Sequence, residues 1–195
     1  MTLVLRYSAR SDRGLVRQNN QDSVYAGPRL LALADGMGGH AAGEVASKLV
    51  IAALVPLDDD EPGDDLLGEL AEATAQGNDA ITELVHEEPD LDGMGTTLTA
   101  VLFAGSRLGM VHVGDSRAYL FRDGTLTQIT RDDTFVQMLV DQGLLSAEEA
   151  RHHRLMPGEG GGRSGRSPCN SESQGERQSD EQHTFHVQSS SRWCL

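Results

Sequence analysis

The chain has 195 residues, 38% of them hydrophobic and 4% aromatic, enough for one core-forming domain with a tail. A net charge of −14 argues against nucleic acid as a partner. No apolar run reaches the ~18 residues a membrane-spanning helix needs. Met1 to Tyr7 lacks the apolar stretch of a signal peptide, and Cys169 and Cys194 make no disulfide framework, so a reducing cytoplasm is the expected setting. The charge is unevenly spread: residues 49–106 hold 14 Asp and Glu and neither Lys nor Arg, which reads as a solvated, mostly helical acidic face.

In chain order, Leu3 to Ala9 and Leu30 to Ala34 read as strands, the second apolar enough to be buried on both faces. Ala41 to Leu54 reads as a helix ended by Pro56. Leu66 to Val85 reads as another, with Leu66, Leu70, Ala73 and Gly77 on one face. Strands are expected at Thr96 to Phe103 and Leu108 to Val113, joined through Gly105. A hairpin is expected where Ala118 to Phe121 and Leu126 to Ile129 flank Asp123-Gly124. Phe135 to Gln142 and Ser146 to His152 look helical, the latter with Ser146 and Glu149 as a capping box. After Arg154 the pattern stops. The last 40 residues hold eight Ser and only three of Leu, Ile, Val and Phe, too few to offset the entropy of ordering. The expected organisation is a domain over 1–154 and a disordered tail over 155–195.

Asp35-Gly36-Met37-Gly38-Gly39-His40 is the first segment with chemical promise. A dinucleotide turn is one reading, since Gly36, Gly38 and Ala41 fit the glycine spacing between a strand and a helix. Against it, Asp35 would abut a pyrophosphate, and Leu49 to Leu54 continues the helix where a second strand should begin. An acid at a strand end beside glycines also suits a hard cation such as Mg²⁺ or Mn²⁺, and equally a plain glycine turn with an N-capping Asp. On this motif alone the last two readings stay open. Asp58 to Glu69 has an EF-hand-like register, but Pro62 and Leu66 occupy ligand positions and an acidic loop explains it better.

Four further pieces complete an ordered set: Arg17-Gln18-Asn19-Asn20-Gln21-Asp22, Gly95-Thr96-Thr97, Gly114-Asp115-Ser116-Arg117, and Thr130-Arg131-Asp132-Asp133-Thr134. From about Leu3 to about His153 the chain thereby resembles the metal-dependent protein Ser/Thr phosphatases of the PPM, or type 2C, family, most closely the actinobacterial branch. The resemblance implies an α+β fold, a four-layer α/β-β/α sandwich, of which this chain carries the N-terminal part. It implies two Mn²⁺ or Mg²⁺ ions bridged by Asp35, with the Gly36 carbonyl as a ligand, Asp22 binding through water, and Asp115 at a third, weaker site. Arg17 would grip the substrate phosphate, and His40 would lie beside the site as a proton donor. The implied reaction is hydrolysis of phosphoserine and phosphothreonine in proteins by a metal-bridged hydroxide. The implied partners are Ser/Thr kinases and their phosphoprotein substrates, with neither nucleic acid nor a membrane segment involved.

The chain departs from the family in its last third, where a second Asp-Gly motif and an Asp-Asn motif that supply metal-binding carboxylates are not found. The abrupt change near residue 155 reads as a shifted reading frame. A shortened and poorly active phosphatase is the resulting expectation. A non-catalytic, phosphatase-like module that binds kinases or phosphoproteins is the competing one.

Overall fold

A computed structural model of the chain describes residues 5–13, 15, 19–39, 41–59 and 63–133, and the backbone of 177–178 and 184–188. Its first strands form a hairpin, β1 (Asp22–Ala26) and β2 (Leu30–Met37). Three helices follow: α1 (Ala42–Leu54), the single turn α2 (Pro56–Asp59) and α3 (Leu66–Glu87). Then come β3 (Gly95–Thr96), β4 (Leu98–Ala104), β5 (Arg107–Val113), β6 (Arg117–Arg122) and β7 (Thr125–Gln128). Two late strands complete the described residues, β8 (Arg177–Gln178) and β9 (Thr184–Gln188). The larger sheet runs β1-β2-β4-β5-β8 with β3 on β2, and a three-stranded sheet runs β7-β6-β9. Every strand pairing among the described residues is antiparallel.

The core sits between the larger sheet and the helices. Leu30, Ala32 and Ala34 of β2 pack with Leu54 of α1, Leu70 of α3 and Leu102 of β4. α3 buries Leu66, Leu70, Ala73 and Gly77, the spacing the sequence predicts, and leaves Glu72, Asp79, Glu83 and Glu87 exposed. Its first turn is capped by Asp65, whose carboxylate accepts the Gly68 N–H at 2.9 Å. Asp123 and Gly124 both take positive φ, the tight primed turn that Asp-Gly favours between two strands.

Several expectations need correction. Residues 5–9 form no strand, their side chains from Arg6 onward are exposed, and among the described residues no strand pairs with them. β1 was not anticipated, although Ser23-Val24-Tyr25 before Gly27-Pro28 carries the β-former and turn signals. β2 is fully buried on one face only. Leu31 and Leu33, which point away from the helices, are half-buried, because α1 and α3 cover the other face. Asp58 belongs to no loose acidic loop. It is 7% exposed, and its carboxylate accepts the Arg29 and Leu30 N–H groups at 2.7 and 2.8 Å and the Tyr25 hydroxyl at 3.0 Å. Its negative charge closes the β1–β2 turn from below, a structural task.

Within the region expected to lack structure, β8 pairs with Arg107 and Leu108 of β5, and β9 pairs along β6 from Arg117 to Phe121. An open sheet edge is a template for any extended segment, and Thr184-Phe185-His186-Val187-Gln188 has the alternation to use it. The helices expected over Phe135 to Gln142 and Ser146 to His152 lie outside the described residues, as does the rest of 155–195. Among the described residues no helix is long and apolar enough to cross a membrane.

Candidate functional site

The β1–β2 register places Asp22 opposite Asp35. The type of pairing follows from the backbone. Asp35 turns both its polar main-chain groups away from β1: its N–H donates to the Thr97 hydroxyl at 3.0 Å, and its carbonyl accepts the Thr97 N–H at 2.9 Å. Asp22 and Asp35 are therefore a non-hydrogen-bonded pair, the kind whose Cα atoms approach to ~4.5 Å and whose side chains stand closest. Two half-buried carboxylates thus share one face of the sheet at its end.

The surrounding backbone is fixed tightly. The Gln21 carbonyl accepts the Gly36 N–H at 3.2 Å and the hydroxyl of the buried Ser47 on α1 at 2.7 Å. A Cβ on Gly36 would fall onto the Gly43 carbonyl and within 2.7 Å of the Gln21 carbonyl oxygen. Only glycine lets the start of α1 come this close to the strand end. Asp35 caps no helix: the residue before α1 is Ala41, which makes no side-chain cap. Nor is this a dinucleotide fold, since β4 returns beside β2 antiparallel and no parallel crossover follows α1.

Asp115 lies in the tight loop between β5 and β6, which is anchored on three sides. Gly114, at φ +97°, accepts the Asp133 N–H on its carbonyl at 2.6 Å. The Ser116 hydroxyl lies 2.8 Å from that of Thr97. Arg117 forms a bidentate pair with Asp132 at 2.9 and 2.7 Å. That hydrogen-bonded carboxylate raises the Arg117 pKa further, keeping it a cation. His112 braces the same region. Its Nε2 lies 3.0 Å from the Arg131 carbonyl, which can only accept, so Nε2 carries the proton and Nδ1 accepts from the Thr99 hydroxyl at 2.9 Å. Burial lowers the His112 pKa and keeps the ring neutral in this role.

The chemistry of the donors at Asp22, Asp35 and Gly36 is the one a hard divalent cation prefers: carboxylate and carbonyl oxygen. Among the described residues no group of three Asp, Glu, His or Cys side chains is placed to hold a metal ion. Among the described residues the donors of that kind set side by side are the carboxylates of Asp22 and Asp35, with the Gly36 backbone next in the strand. Asp115 does not join it in such a group. Arg17 and His40 lie outside the described residues. The motif residues Thr97, Ser116, Arg117 and Asp132 were visible in the sequence as motifs, but their mutual bonds needed the register to appear.

A family model described as Protein phosphatase 2C matches residues 9–156. The chain belongs to the protein phosphatase 2C family. It is 74% identical over 153 residues to the serine/threonine protein phosphatase PstP of Mycobacterium tuberculosis, covering 78% of this chain and 30% of that protein. It is 35% identical over 153 residues to the serine/threonine phosphatase stp of Listeria monocytogenes, covering 74% of this chain and 61% of that protein. The chain thus spans less than two thirds of either relative. Among solved structures, it is similar to the M. tuberculosis phosphatase PstP/Ppp with a TM-score of 0.81 and 61% identity, over 95% of this chain and 78% of that one. The catalytic domain of PstP in complex with two manganese ions matches with a TM-score of 0.76 and 60% identity, over 93% of this chain and 76% of that one. The α+β fold read from the sequence is that of the family's catalytic domains.

Proposed function

We propose that this chain carries the cation-binding strand pair of a Mn²⁺- or Mg²⁺-dependent phosphatase acting on phosphoserine and phosphothreonine in proteins, the products of Ser/Thr kinases. The observation that supports it is the close-set, same-face pair Asp22 and Asp35 on the β1–β2 hairpin, within the residues that match the family. A hard cation bound there supplies Lewis acidity toward a phosphoryl oxygen and acidifies coordinated water. Asp35 and the Gly36 carbonyl would hold it directly and Asp22 through water, with Asp115 at a separate, weaker position in the β5–β6 loop. The Arg17 guanidinium binds the phosphate oxygens through charge-assisted bonds and orients the phosphorus. His40 carries a proton to the departing serine or threonine oxygen. Turnover by this chain is expected to be slow, since among the described residues two carboxylates lie side by side at the site.

The test is hydrolysis of a phosphothreonine peptide by the purified chain, with and without Mn²⁺, beside Asp35→Asn. Slow turnover that requires Mn²⁺ and disappears in Asp35→Asn is expected. Phosphopeptide binding without turnover, surviving Asp35→Asn, would make the chain a non-catalytic module instead.

A further inference from the structure

The register that pairs Gly36 with Thr96 and Leu33 with Thr99 sets Asp35 opposite Thr97. A regular antiparallel ladder would have the Asp35 N–H donate to the Thr97 carbonyl. It donates to the Thr97 hydroxyl instead, at 3.0 Å, while the return bond from the Thr97 N–H to the Asp35 carbonyl is kept at 2.9 Å. At this one rung a side chain has replaced the backbone. The same hydroxyl lies 2.8 Å from the Ser116 hydroxyl, and both residues are buried, at 3% and 0% exposure. Because the Thr97 oxygen accepts from Asp35, its own proton is available to Ser116. The Thr97 methyl fills the space a Cβ on Gly114 would need, which presses the loop against the strand at a second point.

We propose that Thr97 and Ser116 are positioning residues whose hydroxyl pair links the Asp35 backbone to the loop that carries Asp115, setting the spacing between the two carboxylate sites. The inference rests on the reading of Asp35 as a cation ligand. A hydroxyl pair this buried transmits position well, since neither group is open to bulk solvent. Outer partners of this kind change metal affinity when removed, even though they touch no metal.

The experiment is a Mn²⁺ titration of the full chain, following free Mn²⁺ by electron paramagnetic resonance, with a thermal melt for each variant. Asp35→Asn should abolish binding. Thr97→Val keeps the shape and loses the hydroxyl, and should weaken Mn²⁺ binding ~10-fold, whereas Thr97→Ser should restore it to within about twofold. Ser116→Ala should weaken binding in the same direction, and it carries the test if Thr97→Val does not fold. Variants that fold and bind Mn²⁺ as the parent does, with only the melt lowered, overturn this inference and leave the cation reading standing. A parent chain whose Mn²⁺ binding is absent, or indifferent to Asp35→Asn, overturns both.

Discussion

Asp35 and Asp115 are held in place by different means. Asp35 sits in a strand held through the main chain on one flank, Gly36 to Gln21, and on the other by one backbone bond and one bond to the Thr97 hydroxyl. Asp115 sits in a loop fixed largely by side chains, through the Ser116–Thr97 hydroxyls and the Arg117–Asp132 pair, with one backbone bond from Asp133 to Gly114. On its Gln21 flank, where the backbone sets the position, Asp35 tolerates side-chain replacement, provided that no atom is added where two main chains touch. A position set by side chains fails when an anchor is cut. The two halves of the site should therefore break under different substitutions.

Gly36→Ala should give the largest effect, because the added Cβ meets backbone on both sides and neither can yield cheaply. A loss of at least ~3 kcal/mol in urea denaturation is expected. A loss under ~1 kcal/mol would mean that α1 can slide off the strand end. Arg117→Met comes next. It removes the bidentate bond to the Asp132 carboxylate, 9% exposed, but the Arg117 side chain is 34% exposed, so water screens part of the loss. About 1–2 kcal/mol is expected by the same measurement.

His112 gives a gentler, pH-dependent signal. Burial favours its neutral ring, so the unfolded chain binds a proton there more readily than the folded one. Its contribution is complete above the usual pKa of 6.5 and is lost as pH falls below that value toward the lowered folded-state pKa. His112→Gln should flatten this part of the stability profile, and a profile unchanged by the substitution would show that the Arg131 carbonyl does not depend on the ring. The smallest effect is Asp22→Asn. In the absence of divalent cation it relieves a like-charge pair on adjacent strands and should raise stability by ~0.5 kcal/mol. A large loss would show that Asp22 is an anchor like those of the Asp115 loop, and the contrast would fail.

How much of this was visible in the sequence depended on how local the cause is. The α3 face of Leu66, Leu70, Ala73 and Gly77 follows from a 3.6-residue period, and the β6–β7 turn from Asp123-Gly124 alone. Asp22, Asp35 and Gly36 were found as site residues through their motifs, and the β1–β2 register brings the two acids together. The strand expected over Leu3 to Ala9 fails over 5–9, its described part, because alternation says nothing about whether a partner strand is available. Asp58 was misread because an acid in an acidic run looks solvated until the Tyr25, Arg29 and Leu30 donors converge on it. The Thr97–Ser116 contact joins two motifs distant in sequence, and only the strand register reveals it.

The three-stranded sheet also implies an order in time. β6 and β7 are joined by the two-residue Asp123-Gly124 turn, and such a hairpin closes in ~1–10 μs. β9 reaches β6 only after the chain from Phe121 to Thr184 has looped back, an entropic cost repaid by a few ladder bonds. The hairpin should therefore be a lasting unit and β9 a late arrival, the first strand to let go when the protein breathes, its amides exchanging with solvent before those of the turn it leans on.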